Sequence, residues 1–419
     1  MHPGSDFNGD GDIHAGARQV QMVAGSGWST GAYQRRDRAQ MERDRCHDDR
    51  RSTAVPVDSI YGDGASCGVR GGQRDHWRLR AVSRYDQRPS GSIDRSRRVA
   101  AAHGVLKAFF PAQDPALDQQ RADSLATIPD DEARNDGISV GEAAAAAMIA
   151  NRTNDGSAPP QFNTPPNSDP YEWQTTAGCP PAGGVFKHWP NVKPFGIESS
   201  SQFRADPPPK LTSRAYARDY NEVQAVGEIN STQRPQDRAD VARLYAAQPP
   251  HVGWNSVLRQ IASTRQDDIS RTARTAAVMN MSLSDAHITV FESKYFYRTW
   301  RPETAIPRGD EDGNSRTAPG PFTPYIVTPC FPGYPSAHGA GGGAAREVLE
   351  RAYGNRGHSI TMSHPNAPGV VIHYTDLRTI TDDVSDARVF GGIHFRYDQD
   401  AGERQGSDIG RYNNHNRLR

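Results

Sequence analysis

Three short stretches carry the side chains that could do chemistry. The first is Lys294-Tyr-Phe-Tyr-Arg-Thr-Trp-Arg301-Pro302, the second Phe331-Pro-Gly-Tyr-Pro-Ser336-Ala337-His338, and the third Arg388-Val-Phe-Gly-Gly-Ile-His394-Phe-Arg-Tyr-Asp398. Lys294 and Arg301 are seven residues apart, two helical turns, so a helix through both would set them on one face. Pro335-Ser336 reads as a helix start, because proline fixes the chain and serine is a preferred cap. Backbone N–H groups at such a start are unpaired and carry partial positive charge, which suits an anion. His394 and Asp398 have the i,i+4 spacing at which a carboxylate orients an imidazole. Two arginines, a lysine, a serine at a helix mouth and two histidines make a site for a tetrahedral oxyanion. Guanidinium forks and an ammonium charge match its oxygens. One histidine can bond the central atom while the other moves protons.

The elements that must hold these groups are helices. Asp268 is expected to cap a long, central helix running to Trp300, with Ala276, Val278, Met279, Met281 and Ile288 along it. Gly339 to Gly343 should let a second backbone approach the helix that follows Ser336. Further helices are expected over Val99–Phe110, Pro115–Ile128, from a cap at Asp130 or Asp131 through Ile149, and from a cap at Thr212 through Ile229. Others are expected over Asp237–Ala247, Asn255–Thr264, Thr379–Val389 and Ala401–Arg411, with Val370–Tyr374 a short β-type run. Gly178 to Pro209 should be irregular, anchored by Phe186, Trp189 and Phe195. Without repeats or alternating βαβ units, the class is all-α.

Residues 1–98 differ from the rest. They are rich in arginine, contain no lysine and show neither helical nor strand periodicity. They read as an arm with no assigned fold, or as a stretch translated out of its ancestral frame; residues 99–419 read as one helical domain. Asn8-Gly-Asp10-Gly-Asp12 lacks the closing glutamate of a calcium loop. Lys+Arg and Asp+Glu both total 49, a balance that excludes a general nucleic-acid binder. No apolar run is long enough to span a bilayer, and the first residues lack the pattern of a signal peptide. The cysteines Cys46, Cys67, Cys179 and Cys330 form no C-x-x-C pair, which disfavours a thiolate zinc site. Cys179 and Cys330 could pair in an oxidising compartment, but spacing does not decide it.

Order and spacing of the three stretches resemble the vanadium-dependent haloperoxidases and the related type-2 phosphatidic-acid phosphatases (PAP2). The pattern there is K-x6-R-P, then P-S-G-H, then S-R-x5-H-x3-D. Here Ala337 replaces the glycine and Ala387 the serine. The resemblance covers residues 99–419 and implies a helical bundle of the vanadium chloroperoxidase and acid phosphatase type. It implies that His394 binds vanadium, or attacks phosphorus in a phosphatase, that His338 is the acid–base residue, and that Asp398 orients a histidine. It further implies that Lys294, Arg301 and Arg388 neutralise oxyanion oxygens with help from Ser336 and the Ala337 N–H. The cofactor would be vanadate, whose site phosphate can also occupy. The partners would be hydrogen peroxide, a halide and a small organic acceptor, with no nucleic acid and no membrane span; a homo-oligomer stays open. Family members are often secreted. The haloperoxidase reading is favoured by the wording from Lys294 to Ile306, which looks like the bacterial members. The alternatives are an acid phosphatase working through a phosphohistidine and an inactive oxyanion-binding protein.

Overall fold

A computed structural model describes residues 91–165 and 168–417. The aperiodic stretch before residue 91, with its Asn8–Asp12 motif, lies outside the described residues. The first helix, α1, runs over Gly91–Phe109, eight residues earlier than the expected start at Val99. Its opening arginines are not a break in structure: Arg97 pairs with Asp94 one turn back at 2.8 Å, and Arg98 donates to Ser270 at 3.1 Å. Helices α2 (Asp114–Ala126) and α3 (Glu132–Arg152) follow, α3 capped by Asp131, which accepts from Arg134 N at 2.8 Å.

After an irregular stretch come α4 (Arg214–Val226), α5 (Gln236–Ala247), α6 (Pro250–Arg265) and α7 (Ile269–Tyr297). The cap of α4 is Ser213 rather than Thr212, and Gly227 ends the helix, so Ile229 falls beyond it and is exposed. Helix α6 starts five residues before the expected Asn255, because Pro250 occupies the first position, where the missing N–H costs nothing. Helix α7 is capped by Asp268, which accepts from Ser270 N and Arg271 N at 2.9 Å, and runs 29 residues without glycine or proline. It ends at Tyr297, because Arg298 is in the left-handed region at φ 49°.

The four-residue α8 (Pro302–Ala305) and α9 (Ala337–Tyr353) follow. The one β element among the described residues is an antiparallel hairpin, β1 (Arg356–Ser363) with β2 (Val371–Asp376), Ile360 facing Tyr374. The chain closes with α10 (Leu377–Phe390) and α11 (Arg396–Asn416), the latter beginning five residues before the expected Ala401. The fold is an all-α bundle. One core joins α5, α6, the start of α7, the end of α9, the hairpin and α10. A second joins the end of α7 to the start of α9, to Ile409 of α11 and to Phe186 and Trp189 of the irregular stretch. A third gathers Tyr216 and Tyr220 of α4 with Trp300, Tyr334 and Phe395.

Helices α9 and α11 pack backbone to backbone. A Cβ on Gly402 or Gly406 would run into the carbonyl of Ser336 or Ala340, and one on Gly343 into that of Glu403. The irregular stretch is held by non-local partners. Buried Asp285 on α7 accepts from Phe195 N and Gly196 N at 2.7 Å. Cys179 and Cys330, undecided from spacing, form a disulfide that closes 151 residues of chain. Reduction should destabilise the fold by about 2–5 kcal/mol, through the added freedom of the unfolded chain. Thermal melts with and without a phosphine reductant check this, and an unchanged midpoint would contradict it.

Candidate active site

The end of α7, the loop after it, the start of α9, and the junction between α10 and α11 bring the expected site residues together, all of them buried except the half-buried His338. Lys294, Arg301 and Ser336 are 0 % exposed, Arg388 and His394 3 %, and Asp398 1 %. Lys294 does not snorkel to solvent: its Nζ donates to Pro332 O at 2.8 Å and Gly333 O at 2.7 Å. Arg301 does not share its helix face, since α7 stops a turn earlier. The left-handed Arg298 turns the chain back, and Lys294 and Arg301 each stand 5.1 Å from the Phe331 ring. Arg301 donates from Nε to Phe331 O at 3.0 Å, and from Nη1 to Ile393 O at 2.9 Å and to His394 Nε2 at 2.8 Å. Sequence reasoning missed this row of carbonyls from Phe331 to Gly333, because backbone oxygens leave no mark in residue type.

Arg388 leaves α10 and donates from Nη1 to Tyr245 O at 2.8 Å. Two residues of glycine then turn the chain, Gly392 at φ 79°. His394 precedes helix α11 rather than lying on it, so its contact with Asp398 is not a helical i,i+4 pair. Phe395 is the residue before the first turn, and Asp398, at the third helical position, reaches back. Its Oδ2 accepts from Phe395 N at 3.1 Å and meets His394 Nδ1 at 2.8 Å. The tautomer follows from the partners. A guanidinium only donates, so His394 Nε2 accepts from Arg301 and Nδ1 carries the proton donated to Asp398. The Nε2 lone pair therefore points into the cluster of cations.

Ser336 caps α9, its Oγ accepting from Gly339 N at 3.1 Å. Its own N–H donates to Asp398 O at 2.8 Å, which ties the starts of α9 and α11 together. Ala337 opens α9 with no left-handed backbone, so its methyl group meets no conformational strain where the related pattern has glycine. The N–H groups of Ala337 and His338 have no carbonyl four residues back within the helix. His338 is half-buried, and its ring has no hydrogen-bond partner among the described residues.

The cluster is short of negative charge. Lys294 and Arg301 feel the Asp398 carboxylate, and Arg301 that of Glu303 as well, whereas Arg388 feels the cation of Arg301. Burial lowers the pKa of Lys294 well below its usual range, that of Arg301 to about 10 and that of Arg388 to about 9. Burial, then the neighbouring cations, hold both His338 and His394 well below the ordinary histidine range, hence neutral. Burial raises Asp398 to about 7 against the pull of Lys294 and Arg301. Arg301 Nη2 and Arg388 Nε are buried and have no partner. Unpaired guanidinium N–H groups around a neutral imidazole fit a multiply charged oxyanion.

Residues 274–418 match the family model described as the VCPO second helical-bundle domain. This match covers the C-terminal third of the chain, and with the relatives below it supports the vanadium haloperoxidase and PAP2-like superfamily. The vanadium chloroperoxidase of Curvularia inaequalis is 27% identical in an alignment 195 positions long that covers 39% of this chain and 32% of that protein. The chain thus spans about a third of the length of the curated relative it matches. Among solved structures, a bacterial vanadium-dependent iodoperoxidase superposes with TM-score 0.65 at 24% identity, over 77% of this chain and 79% of the other. A holo-type bacterial vanadium-dependent chloroperoxidase superposes with TM-score 0.60 at 19% identity, over 77% and 83%. The helical bundle of these structures is therefore the fold of this chain. No described helix is long and apolar enough to cross a membrane.

Proposed function

We propose that this chain is a vanadate-dependent haloperoxidase that uses hydrogen peroxide to oxidise a halide. The observation that carries the reading is the buried, under-neutralised trio Lys294, Arg301 and Arg388, set around the Nε2 lone pair of His394. The names of the relatives and the bacterial wording from Lys294 to Ile306 favour peroxidase over phosphatase. Vanadate, when bound, supplies a Lewis-acid centre that makes peroxide electrophilic towards halide.

The protein residues do the rest. His394 would hold the anion through Nε2, while Asp398 keeps the proton on Nδ1. Lys294, Arg301 and Arg388 neutralise its oxygens, and the Ser336 hydroxyl and the Ala337 N–H add neutral donors. His338, neutral beside three cations, would hold and move a proton at a ring nitrogen as peroxide arrives. The bundle supplies these groups on rigid helix ends, so little reorganisation is needed when charge develops. We assign the catalytic domain to residues 91–417, and hydrogen peroxide, a halide and a small organic acceptor as its reactants.

Two measurements test this. Vanadate or phosphate at a hundred times its Kd should stabilise the fold by about 2.7 kcal/mol, seen as a rise in melting temperature. Vanadate, peroxide and bromide with a phenolic dye should halogenate the dye, while a phosphate ester is left intact. Ester hydrolysis without halogenation would assign the phosphatase activity instead. Neither activity, with the melting shift retained, would leave an oxyanion-binding protein.

A further inference from the structure

Three consecutive carbonyls hold two of the buried cations. Phe331 O takes Arg301 Nε at 3.0 Å, while Pro332 O and Gly333 O take Lys294 Nζ at 2.8 Å and 2.7 Å. Successive peptide groups of an extended chain alternate in direction, so three that converge on neighbouring cations need outside support. The downstream end is fixed to the chain between those cations. Gly333 N donates to Thr299 O and Tyr334 N to Thr299 Oγ1, both at 2.9 Å. A Cβ on Gly333 would stand 2.7 Å from Trp300 O, so the two backbones touch. The upstream end is Cys330, buried and immediately before Phe331. Its carbonyl accepts from Val185 N at 2.9 Å, and its sulfur is bonded to Cys179. The segment around Cys179 is itself tied down. Cys179 N donates to Thr176 O at 3.0 Å, Gly183 N donates to Pro180 O at 2.9 Å, and Gly184 and Asn163 exchange two backbone bonds at 2.7 Å. The Tyr295 hydroxyl, next to Lys294 on α7, donates to Val185 O.

We propose that the Cys179–Cys330 disulfide is a positioning element of the anion site. It clamps the start of the Phe331–Gly333 row, and the row aims the Lys294 ammonium and the Arg301 guanidinium. Without the bond, the row shifts and the two cations turn to other acceptors or to water. Arg388 stands outside the clamp, because its acceptor is Tyr245 O. The use of these cations for an anion rests on the oxyanion reading; the clamp on them rests on the contacts alone.

The test uses the full-length protein in three forms: oxidised, reduced by a water-soluble phosphine, and as the double variant Cys179→Ala, Cys330→Ala. The phosphine gives two electrons to the S–S bond and takes an oxygen from water, leaving two thiols. Cys179 is half-buried, so the reagent can reach it. All forms are compared well below the lowest melting temperature among them. The Kd for phosphate should rise roughly tenfold on loss of the bond, the worth of one hydrogen bond to a charged group. Reoxidation of the reduced protein should restore it. In an Arg388→Met background the same rise should appear. In an Arg301→Met background it should shrink to roughly threefold or less, since one clamped cation is gone. A second readout needs no anion. Acetylation of Lys294, followed by mass spectrometry, should speed up without the bond while that of exposed Lys210 does not change. A phosphate Kd that ignores the disulfide, or equal rises in the two arginine backgrounds, would overturn the proposal. A wild type that binds no phosphate would overturn the oxyanion reading, and the Lys294 rate would then judge the clamp: faster without the bond upholds it, unchanged overturns it.

Discussion

His394→Ala should abolish turnover and leave vanadate loosely bound, whereas His338→Ala should bind vanadate and lose turnover by roughly 10²–10⁴, the usual contribution of a positioned acid–base group. The distinction rests on what each ring touches. His394 is locked between Asp398 on Nδ1 and Arg301 on Nε2, both at 2.8 Å, so its lone pair has one direction and sits among cations. Removing it takes away the ligand, and charge alone then holds the anion. His338 has no hydrogen-bond partner among the described residues and stands half-buried at the start of α9, where it is free to exchange protons. Equilibrium vanadate binding and peroxidase rates on the two variants decide the matter. Binding lost in His338→Ala but kept in His394→Ala would reverse the assignment.

Replacing Arg388 should weaken anion binding far more than replacing Ser336, and its effect on the anion-free fold should have the opposite sign. Losing one partner of a buried charge pair costs about 3–5 kcal/mol, against roughly 0.5–1.5 kcal/mol for a neutral hydrogen bond. Without an anion, Arg388 is a buried cation with an unpaired Nε and another cation, Arg301, as its neighbour. Arg388→Met should therefore leave the anion-free protein as stable as wild type or more so, since apolar replacements of buried charge are often neutral or stabilising by about 1–4 kcal/mol. Ser336→Ala removes a helix cap and should lower stability by about 1 kcal/mol. Arg301→Ala should weaken the anion as Arg388→Met does, yet cost stability, because three acceptors lose their donor. Thermal melts with and without phosphate, with vanadate titrations, check all three. A serine variant that binds worse than both arginine variants would contradict the charge argument.

The parts of this site legible in the sequence were those encoded in residue type and short spacing. The charged and imidazole groups, the Ser336 cap and the caps Asp131 and Asp268 all stand where local chemistry puts them. What the spacing misread was the route by which they meet. Lys294 and Arg301 converge through the turn at Arg298, not along a helix, and nothing in an arginine announces a left-handed backbone. Helix α11 begins at Arg396 behind Phe395, without a small polar cap, because Asp398 supplies the capping hydrogen bond from inside the helix. The carbonyls that hold Lys294 and Arg301, and the contact of Tyr245 O with Arg388, belong to backbone far away in sequence.

The glycine seam between α9 and α11 acts as a gauge block for the site. His338 rides at the head of one helix and His394 immediately ahead of the other, and the two heads are joined by Ser336 N to Asp398 O. With Gly402 and Gly406 already against carbonyls, the two axes have no slack to close and no side chains to push them apart. The span between the histidines is thus machined in main chain, and rotamer changes around the rim leave it alone. Selection among oxyanions of one shape then falls to charge and to the walls they pass. Redesigning those walls, Phe331 included, would change what reaches the anion while the seat itself keeps its width.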